Sequence, residues 1–382
     1  MPQDRSLQET TPSPGFAARP RGVVLASPGG LGGGGGMGTV TRAMKAWVDD
    51  NAPEVRIKVV DPRGEGRVFW SLLYGPLALI TLLHCRIWKG FDLLHLQVSE
   101  RLSFVRKGVL LAAARTLGMR VVLHHHGAEL IPFFRDASPR MKRLVQWAVN
   151  RADMNIVLGD GWRQFLVDEV GAPPEKVVVA VNATKDLPPG TSPSDRDPWN
   201  FLVLANLSPR KGIGELLEAT AQLRAAGAPA RLTLAGGGEV ERYRLQASQL
   251  GIASACTFTG WIRGDEVTQL LFTHAALVLP SHAEGLPMTL IEAASARLPV
   301  ITTPVGSIPD HFEHDVTCLL VTPGNVTELV SALRRLATDP ALCRRLSENG
   351  RLLYEERFGL QGYMQRMLAL YARVSERLPA PR

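Results

Sequence analysis

The chain has 382 residues, which is long for one hydrophobic core and natural for two domains. With 45% hydrophobic and 21% charged residues its composition is that of a soluble globular protein. Four scattered cysteines (Cys85, Cys256, Cys318, Cys343) contain no CxxC pair, which suits a reducing cytosol and argues against a disulfide framework or a zinc site. The net charge of +7 is confined to one half: residues 1–190 hold 24 Lys and Arg against 17 Asp and Glu, whereas residues 191–382 hold 19 of each. A basic half attracts anionic partners such as nucleic acid, anionic lipid or a pyrophosphate-linked substrate. A mildly basic surface without a partner is the plain alternative.

Residues 1–21 are polar, contain proline and lack an apolar h-region, so a disordered tail is expected rather than a signal peptide or anchor. The apolar run 22–27 reads as a strand that stops at Pro28. A glycine run ending in Gly35-Gly36-Met37-Gly38 follows, and then a helical pattern through Trp47. Strand, glycine loop and helix form a phosphate cradle, because residues without Cβ let backbone N–H groups approach an anion. The run is not GxGxxG and no lysine follows in Walker fashion, so dinucleotide and P-loop readings carry little weight. The surplus glycines upstream read as a floppy loop that orders on substrate binding. Residues 68–85 carry no charge over eighteen positions, the lower limit for a membrane span, but Gly75-Pro76 interrupts them. A buried or interfacial helix pair is expected there.

Residues 55–60, 93–96, 121–124, 154–158 and 177–181 read as further strands separated by helix-length stretches, the alternation of a doubly wound parallel sheet. Ligands on such sheets bind beyond the strand carboxyl ends. His124-His125-His126 falls at one such end; consecutive strand residues alternate faces, so the three cannot grip one metal, and hydrogen-bonded structural histidines are the plain reading. Residues 186–200, rich in Pro, Gly, Ser and Asp, mark a domain boundary. The Asp195-Arg196-Asp197 triplet lies in that linker instead of at a strand end in a pocket, so no metal-bound diphosphate is expected on it. The pattern restarts with strands at 201–205, 231–235, 256–259 and 275–279, and the chain from Val326 is helical to about Arg377.

After the last of these strands comes Pro280-Ser281-His282-Ala283-Glu284-Gly285-Leu286-Pro287, with Glu292 five residues later. Gly285 and Pro287 fit a turn handing over to a helix, which places Glu284 in the turn and Glu292 inside the helix. A helix start favours a nearby phosphate. Two acids flanking it suit a phosphate between two hydroxylated groups, the layout of a sugar nucleotide. An amphipathic helix with an acidic first turn is the plain alternative.

Ser281-x-x-Glu284-Gly285-x-Pro287 with a second Glu at 292 resembles the donor-site signature of retaining GT-B glycosyltransferases of the family 4 type. The resemblance implies an α/β fold of two Rossmann-like doubly wound domains facing a cleft: an acceptor domain at 22–187, a linker at 188–200, a nucleotide-sugar domain at 201–357, and a last helix, 358–382, crossing back onto the first domain. It makes Glu284 the sugar-side carboxylate and Glu292 the ribose anchor, with His282, Gly285 and Leu286 in the same donor loop. Gly35 and Gly36 resemble the family's loop between donor phosphate and acceptor. His126 resembles its active-site histidine beside the transferred sugar, and Glu129 would face the acceptor. Asn206-Leu207-Ser208-Pro209-Arg210-Lys211-Gly212 resembles the Gly-Arg-Leu-x-x-x-Lys-Gly element that neutralises the donor diphosphate. Lys211 matches it, but Asn206 stands in the arginine position. Either Arg210 supplies the missing cation or the site works with one charge fewer. Gly237 and Arg263 fall in turns that resemble those contacting nucleotide and base in the family, and residues 302–310 resemble the loop closing the donor pocket.

Glycosyl transfer with retention is thereby implied, from a nucleotide-sugar to a glycan or lipid-linked acceptor in cell-surface polysaccharide or glycolipid synthesis, without cofactor or metal. The basic first half and the uncharged stretch add an expectation of a cytoplasmic enzyme in peripheral contact with the anionic inner membrane face. A GT-B epimerase or phosphorylase is the alternative chemistry. Nucleic-acid binding lacks a stacking platform or recognition motif, and the neutral second half counts against it.

Overall fold

The computed structural model describes residues 20–64, 71–187, 190 and 195–376. The expected disorder of residues 1–21 falls outside these except at its end, where the Arg21 N–H donates to Asp92 (3.1 Å) and fixes the chain entering the first strand.

Two six-stranded sheets, parallel throughout, make up the core. The first holds β1 (Gly22–Ala26), β2 (Arg56–Val60), β3 (Leu93–Val98), β4 (Arg120–His125), β5 (Met154–Val157) and β6 (Val177–Val179), in the order β2-β1-β3-β4-β5-β6. The second holds β7 (Asn200–Leu204), β8 (Arg231–Ala235), β9 (Cys256–Gly260), β10 (Ala276–Leu279), β11 (Val300–Thr302) and β12 (Leu319–Leu320), in the order β12-β11-β10-β7-β8-β9. Helices cover both faces, so β1, β3 and β10 are buried along their whole length; β1 and β10 read as continuous apolar runs, and β3 carries buried His95 and Gln97 among its apolar residues. In each sheet the strand order reverses once, between β1 and β3 and between β7 and β10, which opens a crevice beyond the carboxyl ends there.

The first sheet carries α1 (Gly35–Asn51), α2 (Ser71–Lys89), α3 (Leu102–Thr116), α4 (Leu130–Asp136) and α5 (Pro139–Arg151). The expected helix pair at residues 68–85 is corrected: from Ser71 on there is one helix, which runs through Gly75-Pro76 to Lys89, while residues 68–70 lie outside the described residues. Pro76 removes one backbone hydrogen bond near the helix start, and the buried contacts of Ala78, Leu82 and Cys85 hold the rest of the helix to the sheet. No helix among the described residues is long and apolar enough to cross a membrane.

The helical tail is broken into Val326–Thr338, Pro340–Leu353 and Leu360–Glu376, the last two joined by a wide turn at Tyr354–Phe358. The first break has a local cause: Asp339 caps the next helix through the Leu342 N–H (2.9 Å), and Pro340 occupies its first turn. The last helix returns to the first sheet. Gln361 accepts from the Trp47 indole (2.8 Å), and the Tyr371 hydroxyl shares a 2.5 Å hydrogen bond with buried His95, whose ring burial pushes down to about 3 and so keeps neutral.

The two loops at the second crevice are locked by Gly212. It sits at φ +67°, and a Cβ there would lie 2.1 Å from the Pro280 carbonyl oxygen. Neither the left-handed backbone nor that clash can be relieved by a rotamer change. Gly212→Ala is expected to cost about 2 kcal/mol or more, measured as a lowered urea midpoint; a wild-type midpoint would mean that the loops part freely.

Candidate functional site

Beyond β7 the chain makes a tight turn at Pro209–Lys211, and beyond β10 it makes the loop 280–287. These loops meet side by side. The Lys211 ammonium contacts Glu284 Oε1, and Ser281 Oγ donates to the same oxygen (2.7 Å). Arg210 Nη1 donates to the Ala283 carbonyl (2.6 Å) and lies 3.7 Å from Glu284 Oε2. Side-chain exposure is only 6% for Glu284 and 12% for Lys211, so the pair is largely out of water. Glu284 is therefore the internal counter-ion of Lys211 in this state and does not stand alone before a sugar.

The carboxylate is held from behind. Thr303 Oγ1 donates to the Ser281 carbonyl (2.6 Å) and the Ser307 N–H to the Gly285 carbonyl (2.9 Å). Gly306, at φ +60°, lets the backbone approach so closely that a Cβ would stand 1.9 Å from the Glu284 carbonyl. His282 donates its N–H to the Arg210 carbonyl (2.8 Å), and its ring Nε2 meets Glu215 at 2.8 Å. Leu286 is buried, and its carbonyl accepts from the Asn182 amide (3.1 Å). Asn182 was not singled out from sequence, because an asparagine after a short strand carries no pattern.

Glu292 lies in the second turn of the helix Met288–Ser295. Its carboxyl is half-buried, has no partner among the described residues, and is pushed by burial up to about 7. Two acids near one helix start thus differ in kind: one is ion-paired, and the other is held by burial toward its protonated form.

The first sheet supplies the opposite wall. A Cβ on Gly285 would sit 3.4 Å from the His126 carbonyl oxygen, so the donor loop faces the end of β4. The His126 ring lies 4.0 Å from the His124 ring, its Nε2 has no partner among the described residues, and burial pushes it down to about 3. It is neutral at physiological pH. His124 and His125 are fully buried; His125 Nε2 donates to Asn155 (3.2 Å), in keeping with the plain reading, whereas neither ring nitrogen of His124 has a hydrogen-bond partner among the described residues, so His124 is packed but not hydrogen-bonded. Glu129 precedes α4, pairs with Arg101 (3.8 Å) and shares a groove of about 640 Å³ with Arg210, Glu215 and His282.

The glycine loop reaches the same cleft. Positions for Cβ on Gly34 and Gly36 fall 3.1 Å from Trp261 and Met288 respectively, while Gly35 has open space. The upstream glycines are tethered from two other elements: Asp61 accepts from the Gly29 N–H (3.0 Å), and Arg42 Nη1 donates to the Gly33 (2.6 Å) and Leu31 carbonyls. Burial, and then nearby Arg263, hold the Arg42 guanidinium below its ordinary value. Asn206 and Trp261 flank Gly237, at 3.8 and 4.0 Å from its Cβ position. The structure thus groups Lys211, Arg210, Glu284, His282, Gly285, Leu286 and His126 along one part of the cleft. Gly35, Gly36, Asn206, Gly237 and Arg263 line another. Asp197, from the rejected triplet, accepts from the Trp199 N–H (2.9 Å) and pairs with Arg231. Among the described residues no three His, Cys, Asp or Glu side chains are placed to hold a metal ion.

Sequence comparison matches the family description "Glycosyl transferases group 1" to residues 189–353 and "Glycosyltransferase Family 4" to residues 39–184. Glycogen synthase from Mycobacterium tuberculosis is 29% identical over 188 residues, 48% of this chain and 45% of that protein, so the chain spans less than half of that relative's length. Among solved structures, sucrose-phosphate synthase from Thermosynechococcus elongatus superposes with TM-score 0.77 at 20% identity, covering 93% of this chain and 99% of the other. Anabaena HepE in complex with UDP and glucose gives TM-score 0.72 at 19% identity, covering 92% and 100%.

The unpartnered Glu292 has a measurable consequence. Its carboxyl ionises at its ordinary value of 4.5 in the unfolded chain and near 7 when folded, so the folded state holds an extra proton between those values and loses stability as pH rises through them. Glu292→Gln removes that loss. The variant should match wild type in urea midpoint near pH 4 and exceed it above pH 7 by on the order of 2 kcal/mol; a difference that does not change with pH would show the carboxyl to be solvated.

Proposed function

The chain belongs to the GT-B glycosyltransferases of the family 4 type, and we propose that it moves a sugar, with retention of anomeric configuration, from a nucleotide-sugar to a hydroxyl of a glycan or lipid-linked acceptor. The observation that carries this reading is the cluster of Lys211, Arg210, Ser281 and Glu284 at the β7/β10 crevice, beside a helix start and an unpartnered carboxyl. Two cations face one acid there, and the net positive charge suits a diphosphate. The relative with UDP and glucose bound supports a nucleotide-sugar as the donor class.

In the proposed reaction the bond from the anomeric carbon to the diphosphate oxygen breaks, and a bond from that carbon to the acceptor oxygen forms on the same face. The acceptor proton passes to the departing diphosphate. No side chain of the cluster is placed as a free nucleophile, since Glu284 is already paired, which favours this front-face course over a covalent intermediate. Lys211 and Arg210 would stabilise the charge developing on the leaving group, which is where most of the rate acceleration in such a step arises. Neutral His126 would border the sugar without adding charge, and Glu292 would accept hydrogen bonds from the ribose diol. Glu129, on the far side of the groove, would face the acceptor. In this reading the reaction uses no metal or cofactor, and the setting proposed is the inner face of a membrane during cell-surface polysaccharide or glycolipid synthesis.

A thermal-shift panel of UDP-, GDP-, dTDP- and ADP-sugars in chelator is expected to show one base raising the melting temperature, and Glu292→Ala should abolish that rise. No response to any member would remove the donor assignment. With the cognate donor and an acceptor in hand, Lys211→Ala should lower turnover by about two orders of magnitude, as for other lost oxyanion donors. Full activity would take Lys211 out of the mechanism.

A further inference from the structure

Helices α2, α3 and α5 lie side by side, α3 packing against both neighbours. Among the described residues, ten of the fifteen exposed large apolar side chains belong to these three helices, including Leu73, Ile80, Trp88, Leu102, Val109 and Trp147. Scattered exposed apolar residues need no explanation, but two-thirds of them gathered on three adjacent helices do. The charge on the same elements is one-sided. Residues 71–89, 102–116 and 139–151 contain nine Lys and Arg and no Asp or Glu. Of the nine, Lys107 is buried, held to Ser103 (2.8 Å) and pushed down to about 7 by burial; the others reach the surface.

We propose that this face docks the protein on an anionic bilayer. Apolar side chains interleaved with cations suit the boundary between acyl chains and acidic headgroups, with the helices lying in the interface plane. None of the three crosses it, in agreement with the absence of a spanning helix among the described residues. A second copy of the chain fits poorly, because a two-fold interface presents the patch to itself and would press cation against cation with no acid to answer.

Orientation adds a consequence, which rests on the transferase reading whereas docking does not. β3 ends at Val98 on the cleft side of the sheet and α3 begins there at exposed Leu102. The intervening Arg101 pairs with Glu129, which lines the groove shared with Arg210 and His282. The docking face therefore runs up to the cleft mouth. A lipid-linked acceptor could present its head group at Glu129 while its tail stays in the bilayer.

The full chain should co-sediment with phosphatidylcholine vesicles containing phosphatidylglycerol, and much less with phosphatidylcholine alone or at high salt. Ile80→Glu with Trp88→Glu should weaken binding at least tenfold. In Arg140→Gln with Arg143→Gln, each neutralised cation should weaken it about fivefold. Both variants alter exposed side chains and should keep the wild-type circular dichroism, melting temperature and response to nucleotide-sugars. Absence of wild-type binding at low salt overturns the proposal, as do variants that bind like wild type. So does a wild-type dimer in sedimentation velocity that Ile80→Glu with Trp88→Glu dissolves. Vesicle binding with no response to any nucleotide-sugar would leave docking standing and remove the transferase reading.

Discussion

Lys211 and Glu284 come from loops 73 residues apart and meet with little water around either. Charges taken out of water are costly unless each is answered by a partner and the remaining lone pairs are filled. Here Ser281 fills one carboxylate oxygen, Arg210 approaches the other, and Gly306 and Thr303 hold the loop backbone so that the carboxylate cannot retreat. The contact requires β7 and β10 to be neighbours, which is so only because the second sheet reverses its order between them. Topology, the left-handed Gly212 and the ion pair are thus parts of one constraint.

The same pair shapes how an anion would enter. With one acid against two cations the crevice is already partly neutralised, which lets it exist empty at tolerable cost. An arriving diphosphate would compete with Glu284 for Lys211, and the carboxylate would keep its hydrogen bond from Ser281. Glu292 works in the opposite sense. Its burial without a partner disfavours the charged form, and hydroxyl donors from a ligand would restore that form. Ligand binding would so offset strain at one acid while redistributing charge at the other. A pair of identical carboxylates could not do this unless their surroundings differed.

Much of this was legible in sequence where the physics is local. Buried strands such as β1 and β10 are unbroken apolar runs, each stopped by a proline within two residues of its end, and the turn-to-helix passage at 285–288 follows from Gly285 and Pro287. β11 and β12 are three and two residues long, too short for any period to show. The tethering of the glycine loop was invisible because Asp61 and Arg42 act on it from other elements. Continuity of α2 through Pro76 is likewise decided by tertiary burial against local propensity. The Lys211–Glu284 contact was missed for the same reason: each residue was recognised alone, and a pairing between distant loops leaves no spacing to read.

The uneven charge of the chain also finds its place. The two cations of the β7/β10 crevice, Arg210 and Lys211, belong to the neutral half, where Glu284 answers them. The +7 of the first half is therefore not the signature of a donor pocket. It resides on the surface, concentrated on helices that carry no acid and expose apolar side chains between their cations. A protein needing only to attract a small anion into a cleft would gain by clustering charge at the cleft mouth. Spreading it instead over a flank that reaches the cleft only at its edge fits an extended anionic surface.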